Sequence, residues 1–282
     1  MNEKIFEHAE DSFEAKLEGI KHEWNVVTLD VLKGQYQKRG MELPEMDEGV
    51  LLEKAPRMLE DLADTETELA QPAFIVITAP TGVGKGTIGA GLRERGIPKL
   101  PRVNTRPIRD GEAEGEEYFF VDDTTFEKMK KKGEIFCTTS TAEESKEAES
   151  AGKVDVEVQA AKTQAGIPTK EFDNYLASGE VFFIDSGAGT AKRIKQEKKL
   201  KDVDFKTVFL LPPSFDEMVR RATGRRSQED IGKADVMSDA TLLDRFSIAV
   251  NHFRRSVETA DAYVVNDQAE RAVDQIAQYS GK

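Results

Sequence analysis

Apolar residues near the start of the chain recur at helical spacing. Phe13, Leu17, Ile20, Trp24, Val27 and Val31 stand 4, 3, 4, 3 and 4 positions apart, which marks one face of an α-helix. A polar break, "KRGMELPEMDEG", separates this stripe from a second helical stretch, "VLLEKAPRMLEDLADTETELA". Such helices are expected to pack on each other or on a main domain. A 4-3 stripe is also a coiled-coil seam, so a hairpin serving homo-oligomer or partner contact through residues 1–71 stays open. From residue 72 the texture changes. Strand-like runs appear at "AFIVIT" (73–78), "EVFFID" (180–185), "KTVFLL" (206–211) and "AYVVND" (262–267), separated by polar and helical stretches. That rhythm predicts βαβ units and a parallel, doubly wound sheet with helices on both faces. Residues 139–163 are hydrophilic and read as an exposed loop or insertion, with Val154, Val156 and Val158 alternating as a short strand would.

Composition narrows the class. A chain of 282 residues is long enough for one large α/β domain and an appendage. No run of 18 apolar residues is present, so no membrane-spanning segment is expected. The acidic, mixed N-terminus is unlike a signal peptide. The single cysteine, Cys137, excludes an internal disulfide and suits a reducing cytoplasm. No motif surrounds it, so it reads as an ordinary small residue rather than a nucleophile. A net charge of −13 argues against nucleic-acid or anionic-membrane binding. Any phosphorylated ligand must therefore be held by arginines and lysines gathered locally.

The candidate chemistry starts at "FIVITAPTGVGKGT", Phe74 to Thr87, where a buried strand runs through a glycine-rich turn into a helix. Gly82 and Gly84 let backbone N–H groups converge on an anion, and the helix beginning near Lys85 adds its N-terminal partial charge. Thr81, Gly82, Val83, Gly84, Lys85, Gly86 and Thr87 thus form a candidate ATP cradle, with Lys85 reaching the β- and γ-phosphates. Relative to G-x-x-x-x-G-K-[ST], Ala79 replaces the first glycine and Gly86 the hydroxyl residue. Ala79 is tolerable where φ is negative. Thr87 follows Gly86 at once, and "GKGT" is similar to the adenylate-kinase version of the loop, in which the hydroxyl comes one residue later.

Downstream, "NTRPIRDGEAEGEEYFFV" (104–121) places Arg106 and Arg109 three apart, suited to a bidentate grip on a second anion. Here the chain resembles guanylate kinase. That family's T-R-x-P-R-x-G-E-x-x-G-x-x-Y-x-F pattern is met by Thr105, Arg106, Arg109, Gly111, Glu112, Gly115, Tyr118 and Phe120, with the proline (Pro107) displaced by one place. "FEKMKKKGEIF" (126–136), "GIPTKEF" (166–172), "VFLLPPSFDEMVRRATGRR" (208–226) and "AYVVNDQAERAVDQI" (262–276) are similar to further segments of the family. The resemblance covers roughly residues 72–280. It implies a P-loop kinase domain over 72–282 with an inserted subdomain for the nucleoside monophosphate at about 102–170 and a lid at about 221–245, preceded by a helical extension over 1–71.

The same resemblance implies site roles. Arg106, Arg109 and Tyr118 would hold the acceptor monophosphate. Arg221 and Arg225 would belong to the lid, Arg245 would point at the transferring phosphoryl group, and Asn266 would border ATP. Asp185, ending a buried strand, sits where a carboxylate could hold Mg²⁺ through water, with Thr87 as the hydroxyl partner. The implied activity is transfer from ATP to a nucleoside monophosphate, with GMP the expected acceptor and Mg²⁺ the metal.

The pattern departs from the family in the acceptor-base region. Cys137 and Thr138 follow "GEIF", Ala165 and Ile167 replace a Tyr and a hydroxyl residue, and Gly187 replaces an acid. Realignment around the 139–154 insertion offers Glu157 as the guanine acceptor. Two alternatives therefore stay open. One is a guanylate-kinase-like binding module without catalysis, which the intact Gly84, Lys85 and Thr87 count against. The other is a kinase of the same fold acting on a different phosphorylated acceptor.

Overall fold

The computed structural model describes residues 12–62, 72–108, 112–116, 118–140, 163–229 and 238–281, at 188 and 225–229 the backbone only. The four strand-like runs form one parallel sheet. Strands β1 (Phe74–Thr78), β6 (Phe182–Ser186), β7 (Phe205–Leu211) and β8 (Ala262–Val265) lie in the order β6-β1-β7-β8. Every residue of β1 is buried, as a strand covered on both faces requires. Phe74 stacks on Phe182 and Phe205, with ring centroids 5.3 and 4.9 Å apart. The register sets Ile77 opposite Asp185 and Thr78 opposite Ser186. Asp185 therefore lies at the C-terminal edge beside the loop that leaves β1, where open parallel sheets bind their ligands.

A second sheet of order β3-β2-β5-β4 is built from β2 (Arg102–Asn104), β3 (Tyr118–Phe120), β4 (Ile135–Ser140) and β5 (Gln164–Pro168). It occupies the range in which the sequence placed the acceptor subdomain. Strands β2 and β3 run parallel, and the β2–β5 and β5–β4 pairs are antiparallel. The register between β4 and β5 shifts between Phe136 and Thr139. Within that bulge Cys137 adopts φ +48°, rare for a residue with a Cβ. Cys137 is buried and free, and burial pushes its thiol up to about 12. It stays protonated and is no nucleophile.

The N-terminal stripe forms α1 (Phe13–Lys38), capped by the Ser12 hydroxyl accepting from the Ala15 N–H. The second stretch forms α2 (Glu48–Asp61), capped by Asp47. Helix α1 lies along α8 (Asp239–Thr259), and α2 packs on α1 and on β8. Trp24 sits 4.8 Å from the Phe253 ring and 5.8 Å from Phe215. Gln35 donates to the Tyr263 hydroxyl at 3.1 Å. The stripe left open as a partner seam is thus covered by the chain's own main domain: Trp24, Val27 and Val31 are buried there.

Candidate active site

The loop after β1 is held open by two glycines and braced from outside. Gly82 and Gly84 have φ +76° and +93°, which disfavours a side chain at either position. A Cβ on Gly82 would meet the Met218 carbonyl oxygen, and one on Gly84 would meet Asn266 Nδ2, each at 2.7 Å. Between them Val83 is fully buried, and its carbonyl accepts from Asn266 Nδ2 at 2.6 Å and from Arg221 Nη1 at 3.4 Å. Arg221 Nη1 also donates to the Asn266 carbonyl at 2.9 Å. Helix α3 (Lys85–Glu94) begins at Lys85, with Gly84 as its N-cap, so its free N–H groups face the loop's concavity. The Lys85 ammonium donates to the Ser186 carbonyl at 3.2 Å and lies 2.9 Å from Asp185 Oδ1.

A cleft of about 500 Å³ opens over this loop, lined among others by Thr81, Gly82, Gly84, Lys85 and Gly86. One wall carries Arg106, two residues past the end of β2, and Tyr118 of β3, and α8 contributes Arg245. Arg106 donates from Nη1 to Glu112 Oε2 at 2.6 Å, and its guanidinium lies 4.9 Å from the Tyr118 ring centroid and 5.2 Å from that of Phe120. Lys85, Arg93, Lys99, Arg106 and Arg245 line the cleft against the carboxylates of Asp185 and Glu112. Positive charge thus prevails here in a chain of net charge −13, the local reversal that a phosphorylated ligand demands.

Asp185 is the electrostatic pivot. Burial opposes its ionisation, but Lys85, Lys99 and Arg102 around it hold its carboxyl below the usual carboxylate value. Lys99 Nζ lies 3.9 Å from Asp185 Oδ2 and 4.9 Å from the Tyr118 ring centroid, so it stands between the β1 loop and the Arg106–Tyr118 wall. His252 also lines the cleft, from α8. Burial, Lys85 and Arg255 push its imidazole down to about 4, so it is neutral at physiological pH.

The sequence-derived candidates divide into groups. Thr81, Gly82, Gly84, Lys85, Gly86, Arg106, Tyr118, Asp185 and Arg245 line one cleft. Val83, Asn266 and Arg221 form the brace behind its loop. Thr87 lies in the first turn of α3 with an exposed side chain, off the cleft lining. Arg225 lies in α7 (Phe215–Glu229), where only the backbone is described. Arg109 and Glu157, with the short alternation at Val154, Val156 and Val158, fall outside the described residues. Ile167, one of the departures from the family pattern, is buried in β5 and does not line the cleft.

Lys99 and His252 escaped the sequence reading. Lys99 belongs to no motif, and its place arises from a bridge to Phe183 two positions before Asp185. His252 left a readable signal, because Arg245, Ile248, Ala249 and His252 follow i, i+3, i+4, i+7 spacing on one helix face, and all four line the cleft.

Comparison with known proteins is consistent in kind. A family model described as guanylate kinase matches residues 71–280. A guanylate kinase of Streptomyces kasugaensis is 33% identical over 161 residues, covering 56% of this chain and 67% of the relative. One from Trichormus variabilis is 27% identical over 224 residues, covering 77% of this chain and 94% of the relative. A crystal structure of guanylate kinase from Anaplasma phagocytophilum superimposes with a TM-score of 0.51 at 21% identity, covering 75% of this chain and 86% of that one. At that identity the superposition speaks for the fold.

Proposed function

The chain belongs to the guanylate kinase family, and from that premise we propose that it transfers the γ-phosphoryl group of ATP to GMP, giving ADP and GDP. The single observation that carries this reading is the meeting, in one cleft, of the Lys85 loop and the Arg106–Tyr118 wall. Phosphoryl transfer asks a protein to position two anions in line and to neutralise the charge between them. A phosphate oxygen of GMP attacks the γ-phosphorus, and the bond from that phosphorus to the β,γ-bridging oxygen breaks. Lys85 and the N–H groups of the glycine loop hold the donor phosphates. Arg106 and Tyr118 hold the acceptor phosphate, with Arg109 as their partner. Arg245 from α8 and Arg225 from the lid supply the remaining positive charge, while Arg221 braces the donor loop from behind.

The acceptor grip is preorganised. Glu112 and the Tyr118 and Phe120 rings hold the Arg106 guanidinium in place, so little rotamer freedom is lost when a phosphate arrives. Glu157 is the proposed reader of the guanine ring. Intact phosphate-loop groups favour this reading over a non-catalytic module.

Mg²⁺ fits the donor set in a limited way. Among the described residues no group of three or more His, Cys, Asp or Glu side chains could cage a metal. One ionised carboxylate, Asp185, faces the loop. Mg²⁺ keeps several waters and takes one or two carboxylates together with substrate phosphates, so Asp185 through water would be its protein partner; the Thr87 hydroxyl, off the cleft lining, would have to turn toward the loop to join it. The ion would neutralise charge on the β- and γ-phosphates. The single cysteine, buried and protonated, agrees with a reducing cytoplasm as the setting.

The experiment that tests this function is coupled ADP release from ATP against a panel of acceptors. GMP should support turnover, with AMP, CMP, UMP and phosphosugars much poorer. Faster turnover with a phosphosugar than with GMP would replace the acceptor.

A further inference from the structure

Helices α1 and α2 precede the region that the family model matches, yet they touch the segments that carry both groups holding the Val83 carbonyl. We propose that this extension is a brace for the ATP loop and that Glu60 is its positioning residue. The inference rests on the reading of that loop as the ATP site.

The contacts run from α2 to the loop in three short steps. Glu60, with a side chain 6% exposed, accepts from the Val265 N–H at 2.7 Å. That N–H belongs to β8, an edge strand of the main sheet among the described residues, so the carboxylate satisfies a donor that this edge leaves without a strand partner there. The same carboxylate accepts from the Arg271 guanidinium at 3.2 to 3.3 Å. It also pairs with Arg57, which in turn pairs with Asp267. Residues 265, 267 and 271 are thereby tied to α2, and Asn266 lies among them. Asn266 carries the tie forward, since its Nδ2 holds the Val83 carbonyl at 2.6 Å.

Helix α1 backs the second group. Lys21 pairs with Asp216 at 2.7 to 2.8 Å, and Trp24 packs against Phe215, both in the first turn of α7. That helix carries Arg221, which donates to the carbonyls of Val83 and Asn266. The orientation of the Val83 peptide governs where the N–H of Gly84 points. The phosphate cradle depends on that direction, because its donors must converge on one point. Glu60 touches no substrate and acts through Val265 and Asn266.

The test uses the full chain and titrates ATP and GMP separately into wild type, Glu60→Gln and Arg57→Gln. Glu60→Gln is expected to raise the ATP dissociation constant about tenfold with the GMP constant unchanged, and to speed amide exchange at residues 82–85. Arg57→Gln, altered at a side chain 44% exposed, is expected to move ATP binding the same way by about threefold, and it decides the matter where Glu60→Gln does not fold. Equal weakening of ATP and GMP, or a lowered melting temperature with both constants unchanged, would show a merely structural role and overturn the brace. A wild-type chain that turns over ATP with GMP while Glu60→Gln binds ATP normally overturns the brace alone. A wild type that does not bind ATP overturns the functional reading and the brace with it.

Discussion

The Lys85 ammonium stands 2.9 Å from Asp185 Oδ1, and the pair joins the end of one strand to the first residue of the helix that follows its neighbour. Asp185 is paired with Ile77 in the sheet register, and Lys85 opens α3. The carboxylate therefore aims the lysine across the loop before any nucleotide enters. Lys85→Ala removes a charge meant for the transition state and should lower turnover by at least about 100-fold. Its melting temperature should change little, because Lys99 and Arg102 continue to compensate Asp185. Steady-state rates and a thermal melt read the two effects separately.

Asp185 also sets an acid limb. Its carboxyl is held below the ordinary value of 3.8, so the stabilisation it supplies is present above that value and is lost as pH falls through the lower, folded-state value. Asp185→Asn should flatten the stability profile below about pH 4 while also reducing activity. Denaturant melts across the acid range check this; an unaltered acid limb would remove Asp185 from the pH dependence.

Gly84→Ala tests the loop's shape. The new Cβ would sit at φ +93° and 2.7 Å from Asn266 Nδ2, so the brace on Val83 must give way. ATP affinity should fall by about tenfold or more, with GMP affinity retained. Separate titrations of the two nucleotides distinguish a donor-loop effect from a general one.

Arg106→Lys keeps the charge but loses the planar fork that Glu112 and Tyr118 orient. The KM for GMP should rise by about tenfold or more, with the KM for ATP within about twofold. A rise in the ATP value alone would place Arg106 on the donor side.

His252 supplies a pH signature of opposite chemistry. Folded, it titrates at about 4; unfolded, at its ordinary 6.5. Between these values the unfolded state binds the extra proton, so wild type loses stability as pH falls from 6.5 toward 4 and the loss then levels off. His252→Gln should remove this component. Parallel melts of the two proteins at pH 4.5 and 7 should show the difference narrowing on acidification.

Much of the fold was legible because the main sheet is buried on both faces, which makes "AFIVIT" and its partners nearly continuous apolar runs. The loop was legible because its strand, glycines and lysine must be contiguous. Contacts between distant parts of the chain were not. Trp24 finds Phe215 and Phe253 across about two hundred positions, and no periodicity encodes that docking. Lys99 reaches Asp185 only through a strand bridge. Arg221, read from the sequence as a lid arginine, donates to the carbonyls of Val83 and Asn266, contacts that no spacing announces. The left-handed Cys137 breaks the alternation of β4, and nothing in "IFCTTS" announces it.

The central claim is transfer of a phosphoryl group between two anions held in one cleft. Incubating the full chain with ATP labelled in its γ-phosphoryl group, Mg²⁺ and GMP should move the label into GDP, with far less label entering ADP from AMP, CDP from CMP or UDP from UMP. Label that remains in ATP or appears only as free phosphate, or that enters all four diphosphates at equal rates, would contradict the account.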